Sequence, residues 1–174
     1  MRKDEPEPRR RGWLRRLLPD PPLRPPGARS EADFAARCIR CDRCAAVCPS
    51  RSIKPAPWAL GLDAGTPFVA PREAPCWLCM RCPPVCPTGA LEPLSDRRAV
   101  RMGIARVRAQ SCYAFMGIVC RTCVDQCPLA GEAIRQDEQL RPVVTDRCTG
   151  CGVCQHRCPA PDVAIRVEPF GRRA

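Results

Sequence analysis

The chain has 174 residues, 22 prolines and a formal net charge of +11, and Leu, Ile, Val and Phe together supply only 19% of it. So few strong hydrophobes, combined with a high net charge, do not bury enough apolar surface to fold a domain by themselves. This composition excludes a protein held together by an ordinary hydrophobic core. The 16 cysteines are the residues that can supply the missing stability.

The chain begins with a basic, proline-rich segment, residues 1–29, with a net charge of +5, and we predict that it is a flexible tail. Its residues Trp13, Leu14, Leu17 and Leu18 fall on one face of a short helix, beside arginines. Such a basic amphipathic turn suits peripheral contact with an anionic membrane or docking on a partner, and a solvated arm is the alternative. The prolines that follow predict a stiff, extended spacer.

A short helix and the first cysteine motif come next. Ser30 and Asp33 in "SEADFAAR" (30–37) predict a capped helical turn, because Ser is a favoured N-cap and an acid three residues later stabilises the first turn. Three stretches share the spacing Cys-x₂-Cys-x₂-Cys-x₃-Cys-Pro. They are "CIRCDRCAAVCP" (38–49), "CWLCMRCPPVCP" (76–87) and "CTGCGVCQHRCP" (148–159).

One motif departs from this spacing. In "SCYAFMGIVCRTCVDQCP" (111–128) the last three cysteines and the proline are kept, but seven residues separate Cys112 from Cys120. Short β-branched runs bounded by Pro, Gly and Asp lie around the later motifs and predict hairpin strands packed beside them. These runs are "TPFVA" (66–70), "TGAL" (88–91), "GIARVRA" (103–109), "GEAIRQ" (131–136), "RPVVTD" (141–146) and "VAIRV" (163–167).

Three chemistries use cysteines at this density, and the spacing distinguishes them. Disulfides between cysteines three residues apart would not connect distant segments. Structural zinc needs two Cys-x-x-Cys pairs about 12–20 residues apart, whereas here the third and fourth cysteines follow at once. The observed run is the bacterial [4Fe–4S] spacing, in which the fourth cysteine ligates a second cluster. The sequence therefore predicts iron–sulfur clusters, with a zinc-stapled interaction module and a disulfide framework as the alternatives.

Because the fourth cysteine of each motif crosses to another motif, the motifs must work in pairs. Sixteen thiolates complete four clusters only if the irregular motif takes part, so we predict that Cys112 is a ligand; the alternative is a buried free thiol. The spacing leaves two pairings open. Sequential pairing joins the first motif with the second and the third with the fourth, and nested pairing joins the first with the fourth and the second with the third.

Several segments resemble the MauM/NapG-type four-cluster ferredoxins, which belong with the iron–sulfur subunits of the dimethyl sulfoxide reductase type. These segments are "LRPPGA" (23–28), "GTPFVAPREAPC" (65–76), "CPPVCPTGAL" (82–91), "RMGIA" (101–105) and "CTGCGVC" (148–154). The resemblance implies an α+β fold with two ferredoxin-like modules of two [4Fe–4S] clusters each, the second nested within the first, and small hairpin sheets and short helices around the clusters. An outer module would comprise residues 30–60 with 140–170, and an inner one residues 64–138.

The nested pairing implied by the resemblance assigns every cysteine to one of four ligand sets. The expected sets are Cys38, Cys41, Cys44 and Cys158; Cys148, Cys151, Cys154 and Cys48; Cys76, Cys79, Cys82 and Cys127; and Cys112, Cys120, Cys123 and Cys86.

The resemblance also implies a function. Such proteins pass electrons from a membrane quinol-oxidising (NapH-like) partner, often itself a polyferredoxin, toward a reductase or related redox enzyme in anaerobic respiration. The alternative is an accessory role in the maturation of a reductase. Many members carry a twin-arginine export signal, and "RRGWLR" (10–15) is similar to its core. Because no apolar stretch follows it, we predict a cytoplasmic protein, either free or associated with the membrane surface, with a periplasmic location as the alternative if the motif functions.

The charges and the lone histidine do not change this interpretation. Sixteen thiolates against four oxidised cores of about +2 each contribute roughly −8, so the basic composition largely offsets the clusters and we predict no nucleic-acid binding. His156 lies outside the ligand rhythm, and we expect it at the surface. No motif of a catalytic site is present, which predicts an electron carrier rather than an enzyme, acting alone or as a subunit of an oxidoreductase complex.

Overall fold

The structure, a computed structural model, describes residues 21–170. The elements are short, as expected for a chain whose segments are punctuated by Pro and Gly. The α-helices are α1 (Glu31–Arg37), α2 (Arg43–Ala46), α3 (Thr122–Asp125) and α4 (Val153–Arg157). The strands are β1 (Ile53–Pro55), β2 (Pro67–Val69), β3 (Gly103–Val107), β4 (Ile134–Gln136), β5 (Pro142–Val144) and β6 (Ile165–Pro169). Short 3₁₀ turns cover Trp58–Asp63, Pro83–Val85, Arg97–Ala99 and Ala109–Ser111. Within residues 21–170, no helix is long and apolar enough to cross a membrane.

The strands pair antiparallel within two similar modules, a first module of residues 23–92 and a second module of residues 103–169. In the first, β1 pairs with β2 between its two cysteine motifs, and a single bridge between Ala28 and Leu91 joins its two ends. In the second, β4 pairs with β5 between the motifs, and β3 pairs with β6 over five residue pairs. Each module therefore has a central hairpin and an outer pair.

This pairing shows that the nested division expected from the resemblance is wrong. β1, placed in the outer module, pairs with β2 of the inner one, and β3 of the inner module pairs with β6 of the outer one. The physical reason lies in the connections: a hairpin closes over the short segment between two consecutive motifs, which costs less chain entropy than closure over most of the chain. The two modules follow one another along the sequence.

The prediction of a flexible tail over residues 1–29 is also wrong for the part that the structure describes. Leu23, Pro25 and Pro26 are buried, the Val69 amide donates to the Leu23 carbonyl at 2.7 Å, and the Glu92 amide donates to the Gly27 carbonyl at 2.7 Å. Residues 21–29 thus form part of the first module. The predicted amphipathic turn (13–18) and the export-like motif (10–15) lie outside the described residues.

Arg24 explains why this proline-rich segment packs instead of extending into solvent. Its guanidinium is buried, forms an ion pair with Glu31 and another at 2.6 Å with Asp63, donates to Thr66 Oγ1 at 2.6 Å, and lies 4.5 Å from the ring centroid of Phe34. A buried cation is tolerated only with such partners. The side chain therefore connects the segment before the first motif to α1 and to the start of β2.

The secondary structure agrees well with the remaining predictions. The predicted helix is α1, and Ser30 Oγ accepts the Asp33 amide at 3.3 Å. Five of the six predicted β-branched runs contain a named strand, whereas "TGAL" (88–91) contributes only the bridge at Leu91. Strand β1 had not been predicted, because "IKP" has neither the alternation nor the length that marks a strand.

The apolar core is small and includes cysteine side chains. The larger core, in and beside the first module, contains Phe34, Val69 and Leu91 together with Cys44 and Cys76. The second module has a smaller core, in which Ile134, Ile165 and Leu129 pack with Cys148 and Cys154. Thiols that the sequence predicts to be ligands therefore form part of both cores.

Candidate iron–sulfur centres

The sixteen cysteines gather into four groups of four. In group 1 (Cys38, Cys41, Cys44 and Cys86), all four line one cavity with α1 and the motif backbone. In group 2 (Cys48, Cys76, Cys79 and Cys82), all four line a second cavity. In group 3 (Cys112, Cys120, Cys123 and Cys158), all four line a third. Each of the three cavities has four cysteines in its lining, as expected if they hold the same kind of group.

Group 4 comprises Cys127, Cys148, Cys151 and Cys154. Cys148 and Cys151 act electrostatically on Cys127, and Cys148, Cys151 and Cys127 act on Cys154. Each group therefore takes three cysteines from one motif and the last cysteine of another, as the [4Fe–4S] spacing predicts. Cys112 lies in group 3 and is buried, so the irregular motif occupies the same position as the regular ones.

The nested ligand sets implied by the resemblance are wrong in every group. Cys86 lies with Cys38, where Cys158 was expected, and Cys158 lies with Cys112, where Cys86 was expected. Cys48 lies with Cys76, and Cys127 lies with Cys148. The pairing is sequential, because each central hairpin brings consecutive motifs face to face.

The backbone of the three regular motifs has a common conformation that favours a bound cluster. The residues on either side of the second cysteine have positive φ in all three. These residues are Arg40 and Asp42 (φ 56 and 58), Leu78 and Met80 (φ 55 and 58), and Gly150 and Gly152 (φ 74 and 81). A left-handed conformation costs about 1–3 kcal/mol for a residue with a side chain. Its recurrence at the same positions of three motifs indicates that this loop conformation serves a function. Alternating backbone conformations of this kind turn amides toward an anion, as in many Fe–S sites.

The thiols themselves fit a bound metal cluster better than a metal-free state. Burial, together with neighbouring thiols, raises the pKa of Cys44 to about 11, of Cys76 to about 12 and of Cys123 to about 12. Such thiols stay protonated at neutral pH unless a metal displaces the proton. The donor set, four cysteine sulfurs in each group, is the set that ligates a [4Fe–4S] cluster.

Among residues 21–170, no set of three or more Cys, His, Asp or Glu side chains has the spacing of a site for a single metal ion. In a [4Fe–4S] cluster each of the four irons takes one thiolate, so the sulfur ligands stand farther apart than the ligands of one ion.

We call the last cysteine of each motif, which joins the group of another motif, the crossing cysteine. In the first module, a hydroxyl group lies close to the sulfur of each crossing cysteine. Ser50 Oγ lies 3.4 Å from Cys48 Sγ, and Thr88 Oγ1 lies 3.7 Å from Cys86 Sγ, which also accepts the Leu91 amide at 3.4 Å. Burial raises the pKa of Cys48 and of Cys86, but hydrogen bonds outweigh burial and lower both below the ordinary value.

The crossing cysteines of the second module are placed differently. Leu129 and Ala160 stand where Ser50 and Thr88 stand in the first module, and burial raises the pKa of Cys127 to about 11. The sequence analysis missed this difference, although the tripeptides Cys-Pro-Ser and Cys-Pro-Thr would have revealed it. It also missed the left-handed residues, for which only Gly150 and Gly152 give a signal.

The four groups lie in a row. Cys44 of group 1 acts electrostatically on Cys82 of group 2, and Cys123 of group 3 acts on Cys154 of group 4. The two modules meet where the Cys76 amide donates to the Cys151 carbonyl at 2.9 Å. The order is therefore group 1, group 2, group 4, group 3, with the two outer groups at opposite ends.

Several other side chains lie within or beside the cysteine motifs. His156 is exposed, as predicted, with Nδ1 3.1 Å from the Arg72 carbonyl. Trp77 lines the cavity of group 2 and Tyr113 that of group 3, which places both aromatic rings beside the thiols. The arginines within the motifs are exposed; they are Arg40, Arg43, Arg81, Arg121, Arg147 and Arg157.

Comparison with known proteins agrees with this division into modules. A family model described as a 4Fe-4S dicluster domain matches residues 37–90, and a second model with the same description matches residues 106–159. Two dicluster domains correspond to four [4Fe–4S] clusters, the number for which the chain has sixteen cysteines.

Relatives are similar over most of the chain. It is 44% identical to the methylamine utilization ferredoxin-type protein MauM of Methylobacillus flagellatus, over 84% of this chain and 68% of that protein. It is 40% identical to MauM of Paracoccus denitrificans, over 84% of this chain and 71% of that protein. It is also 40% identical to the ferredoxin-type protein NapG of Escherichia coli, over 85% of this chain and 71% of that protein.

Proposed function

The chain belongs to the family of MauM and NapG ferredoxin-type proteins, which are iron–sulfur electron carriers, and we propose that it passes electrons between two other redox proteins along its row of four groups. Bound [4Fe–4S] clusters supply one-electron redox chemistry at potentials that the surrounding protein adjusts. The cysteines hold the clusters, the aromatic and aliphatic side chains exclude water from them, and hydrogen bonds to the sulfurs adjust their potentials.

The linear order of the groups is the observation that carries this proposal. Neighbouring groups are close enough for their thiols to interact, at Cys44 with Cys82 and at Cys123 with Cys154, and the two modules join at Cys76 and Cys151. A carrier that served one partner at a time would need only one exposed cluster. A row with an outer group at each end suits entry of electrons at one end and exit at the other.

We propose that the four groups are the four ligand sets, and paired substitutions test this assignment. Cys38→Ser and Cys86→Ser should each remove about a quarter of the iron, and the double variant should remove no more, because both residues hold the same cluster. The combination of Cys38→Ser with Cys158→Ser should remove about half. Iron and sulfide analysis of anaerobically purified protein reads the result, and the reverse pattern would restore the nested sets.

The partners are proposed from the family. One end would accept electrons from a membrane quinol-oxidising, NapH-like protein, and the other would deliver them to a reductase or related enzyme, with the protein itself in the cytoplasm. The relatives' names support a place in a redox pathway: MauM is named for methylamine utilization, and NapG is named as a ferredoxin-type protein.

Electron transfer itself is tested on the purified holoprotein. We expect about 16 iron and 16 sulfide per chain, reduction by a low-potential donor, and reoxidation by a protein acceptor with no loss of iron. Zinc in place of iron would contradict the proposal. Clusters that are present but exchange no electrons with any donor would favour the alternative, an accessory role in maturation.

A further inference from the structure

The seven residues between Cys112 and Cys120, where the regular motifs have two, form an ordered loop. The Met116 amide donates to the Cys112 and Tyr113 carbonyls at 3.1 and 3.0 Å, and the Ile118 amide donates to the Tyr113 carbonyl at 2.9 Å. Gly117 turns the chain with φ +81. The loop is held at its base, because Cys112 and Tyr113 both line the cavity of group 3.

The side chains at the tip of this loop are apolar and exposed. Met116, Ile118 and Val119 are 59%, 52% and 87% exposed, and Phe115 is also exposed. We call these four apolar residues the loop patch. A contiguous exposed apolar surface on an otherwise charged protein marks a site of interaction.

The loop patch lies where an electron must leave or enter. Group 3 is one end of the row, and the loop that bears the patch begins at Cys112 and ends at Cys120, two members of that group. A protein that covers the patch is brought close to group 3. The other three groups are not connected by such a loop, since their motifs keep the short spacing.

The charges beside the patch favour an acidic partner. The Arg141 guanidinium lies 5.3 Å from the Phe115 ring centroid and forms no ion pair among residues 21–170, and the Asp137 carboxylate accepts the Arg141 backbone amide at 2.8 Å. Arg121, the residue before α3, is exposed, and within the described residues its one ion pair is with Asp125, at 2.8 Å. Cations at the rim of an apolar patch attract carboxylates at the rim of a partner, which raises the rate of encounter.

We propose that the loop patch is the docking surface for a redox protein with an apolar contact surface and acidic side chains around it; this inference rests on the proposed electron-carrier function. One electron would pass between the partner's cofactor and the [4Fe–4S] cluster that group 3 would hold, with no proton transferred and no bond made or broken. A redox protein is favoured over a membrane surface because the patch adjoins a cluster-binding group at the end of the row, and because a small patch suits the short-lived contacts of electron-transfer partners.

The test uses the holoprotein and an acidic plant-type [2Fe–2S] ferredoxin, reduced, as a low-potential donor. Stopped-flow spectroscopy follows the oxidation of the ferredoxin. Ile118→Glu should lower the second-order rate constant at least fivefold, and the uncharged Met116→Gln should lower it about twofold, since each disrupts the apolar contact. Arg141→Gln should weaken the dependence of the rate on ionic strength.

Leu62→Glu is the matched control. Leu62 is 95% exposed and lies beside group 1 at the opposite end, where Arg40 donates to its carbonyl at 3.0 Å. Leu62→Glu adds the same charge to the protein as Ile118→Glu, so any loss of rate that the two variants share reports the change in net charge alone. Reduced methyl viologen, which needs no docking surface, should reduce all the variants at the parent's rate, and their iron content should be unchanged.

The outcomes separate this inference from the proposed function. A protein that neither donor reduces would refute the electron-carrier function. Three outcomes would overturn the docking surface alone. The viologen could reduce the protein while the ferredoxin does not, Ile118→Glu could react at a rate within twofold of the parent's, or Leu62→Glu could lose as much of the rate as Ile118→Glu. Flotation with vesicles of anionic phospholipid that depends on Ile118, without an effect on ferredoxin, would assign the patch to a membrane and would also overturn the proposal.

Discussion

Each module contains two groups of four cysteines in the same arrangement, but the two modules stabilise these groups by different means. The first module surrounds its thiols with the larger core, including Phe34, Val69 and Leu91, and with the buried Arg24. The second has a smaller core and relies on the five residue pairs between β3 and β6. The comparison shows that the cysteine spacing dictates the site, whereas the support around the site varies.

The modules also differ in how their loops reach the required backbone conformation. At the position after the second cysteine, the first module has Asp42 and Met80, and motif four has Gly152, all with positive φ. A Cβ on Gly152 would lie 2.3 Å from Pro71 Cβ, so close packing between the modules requires glycine there. The same conformation is therefore adopted with a side chain where there is space and without one where the modules meet.

Removal of iron should have the largest effect, and it tests whether the difference in core size matters. We expect chelation under oxidising conditions to abolish cooperative unfolding, because chain entropy of about 1–2 kcal/mol per ordered residue outweighs burial in so small a core. Circular dichroism and hydrogen exchange on the apoprotein would show it. Any residual protection should lie in the first module; a sharp thermal transition in the apoprotein would mean that its core is sufficient without metal.

Exchanging the residues after the second cysteine should give the next largest effect. Gly152→Ala should destabilise the holoprotein by about 2–4 kcal/mol, through the contact with Pro71 and the left-handed backbone. Asp42→Gly, at the equivalent position of the first module, should change stability by less than about 1 kcal/mol. Chemical denaturation under anaerobic conditions measures both. Equal effects would show that the two modules impose the same constraint.

The buried arginine should matter more than an exposed one. Arg24→Met should destabilise the holoprotein by about 2–3 kcal/mol, because Asp63 and Thr66 lose their partner inside the first module. Arg24→Lys should not restore stability, since a single ammonium cannot replace the planar fork. The control is Arg98→Ala, which removes an exposed pair with Glu132 at 2.9 Å and should leave the midpoint of denaturation unchanged. A similar loss in both would argue against a structural role for burial.

The hydroxyl groups beside the crossing cysteines should produce the smallest effect. Thr88→Val should lower the midpoint potential of one cluster by about 30–60 mV, since hydrogen bonds to the sulfurs stabilise the reduced, more negative state and 59 mV is a tenfold change for one electron. Thr88→Ser should retain the parent value. Ala160→Ser should raise a potential in the second module, and a redox titration monitored by electron paramagnetic resonance would detect either shift. Unchanged potentials would show that the hydroxyls act only in folding.

Local features of the sequence were sufficient to predict the cysteine site and most of the secondary-structure elements. The cysteine rhythm predicted that all sixteen thiols, including Cys112, would gather in fours, because three ligands of each group come from one short loop. The cap at Ser30 and five of the predicted β-branched runs were also correct, since they depend on neighbours a few residues away. The prediction of a flexible tail was wrong for residues 21–29, because the burial of Arg24 depends on Asp63 and Thr66, which lie far along the chain.

By itself, then, the sequence determined the kind of cofactor, the number of clusters and the family, because ligand type and spacing are local properties of the chain. Only the tertiary structure decided which motif supplies each fourth ligand. Each of four cysteines ends its motif and is followed by proline, so the motif spacing does not distinguish their destinations; they are Cys48, Cys86, Cys127 and Cys158. The central hairpins decide it, because they fold each motif back on the next one and bring Cys86 to Cys38 and Cys158 to Cys112.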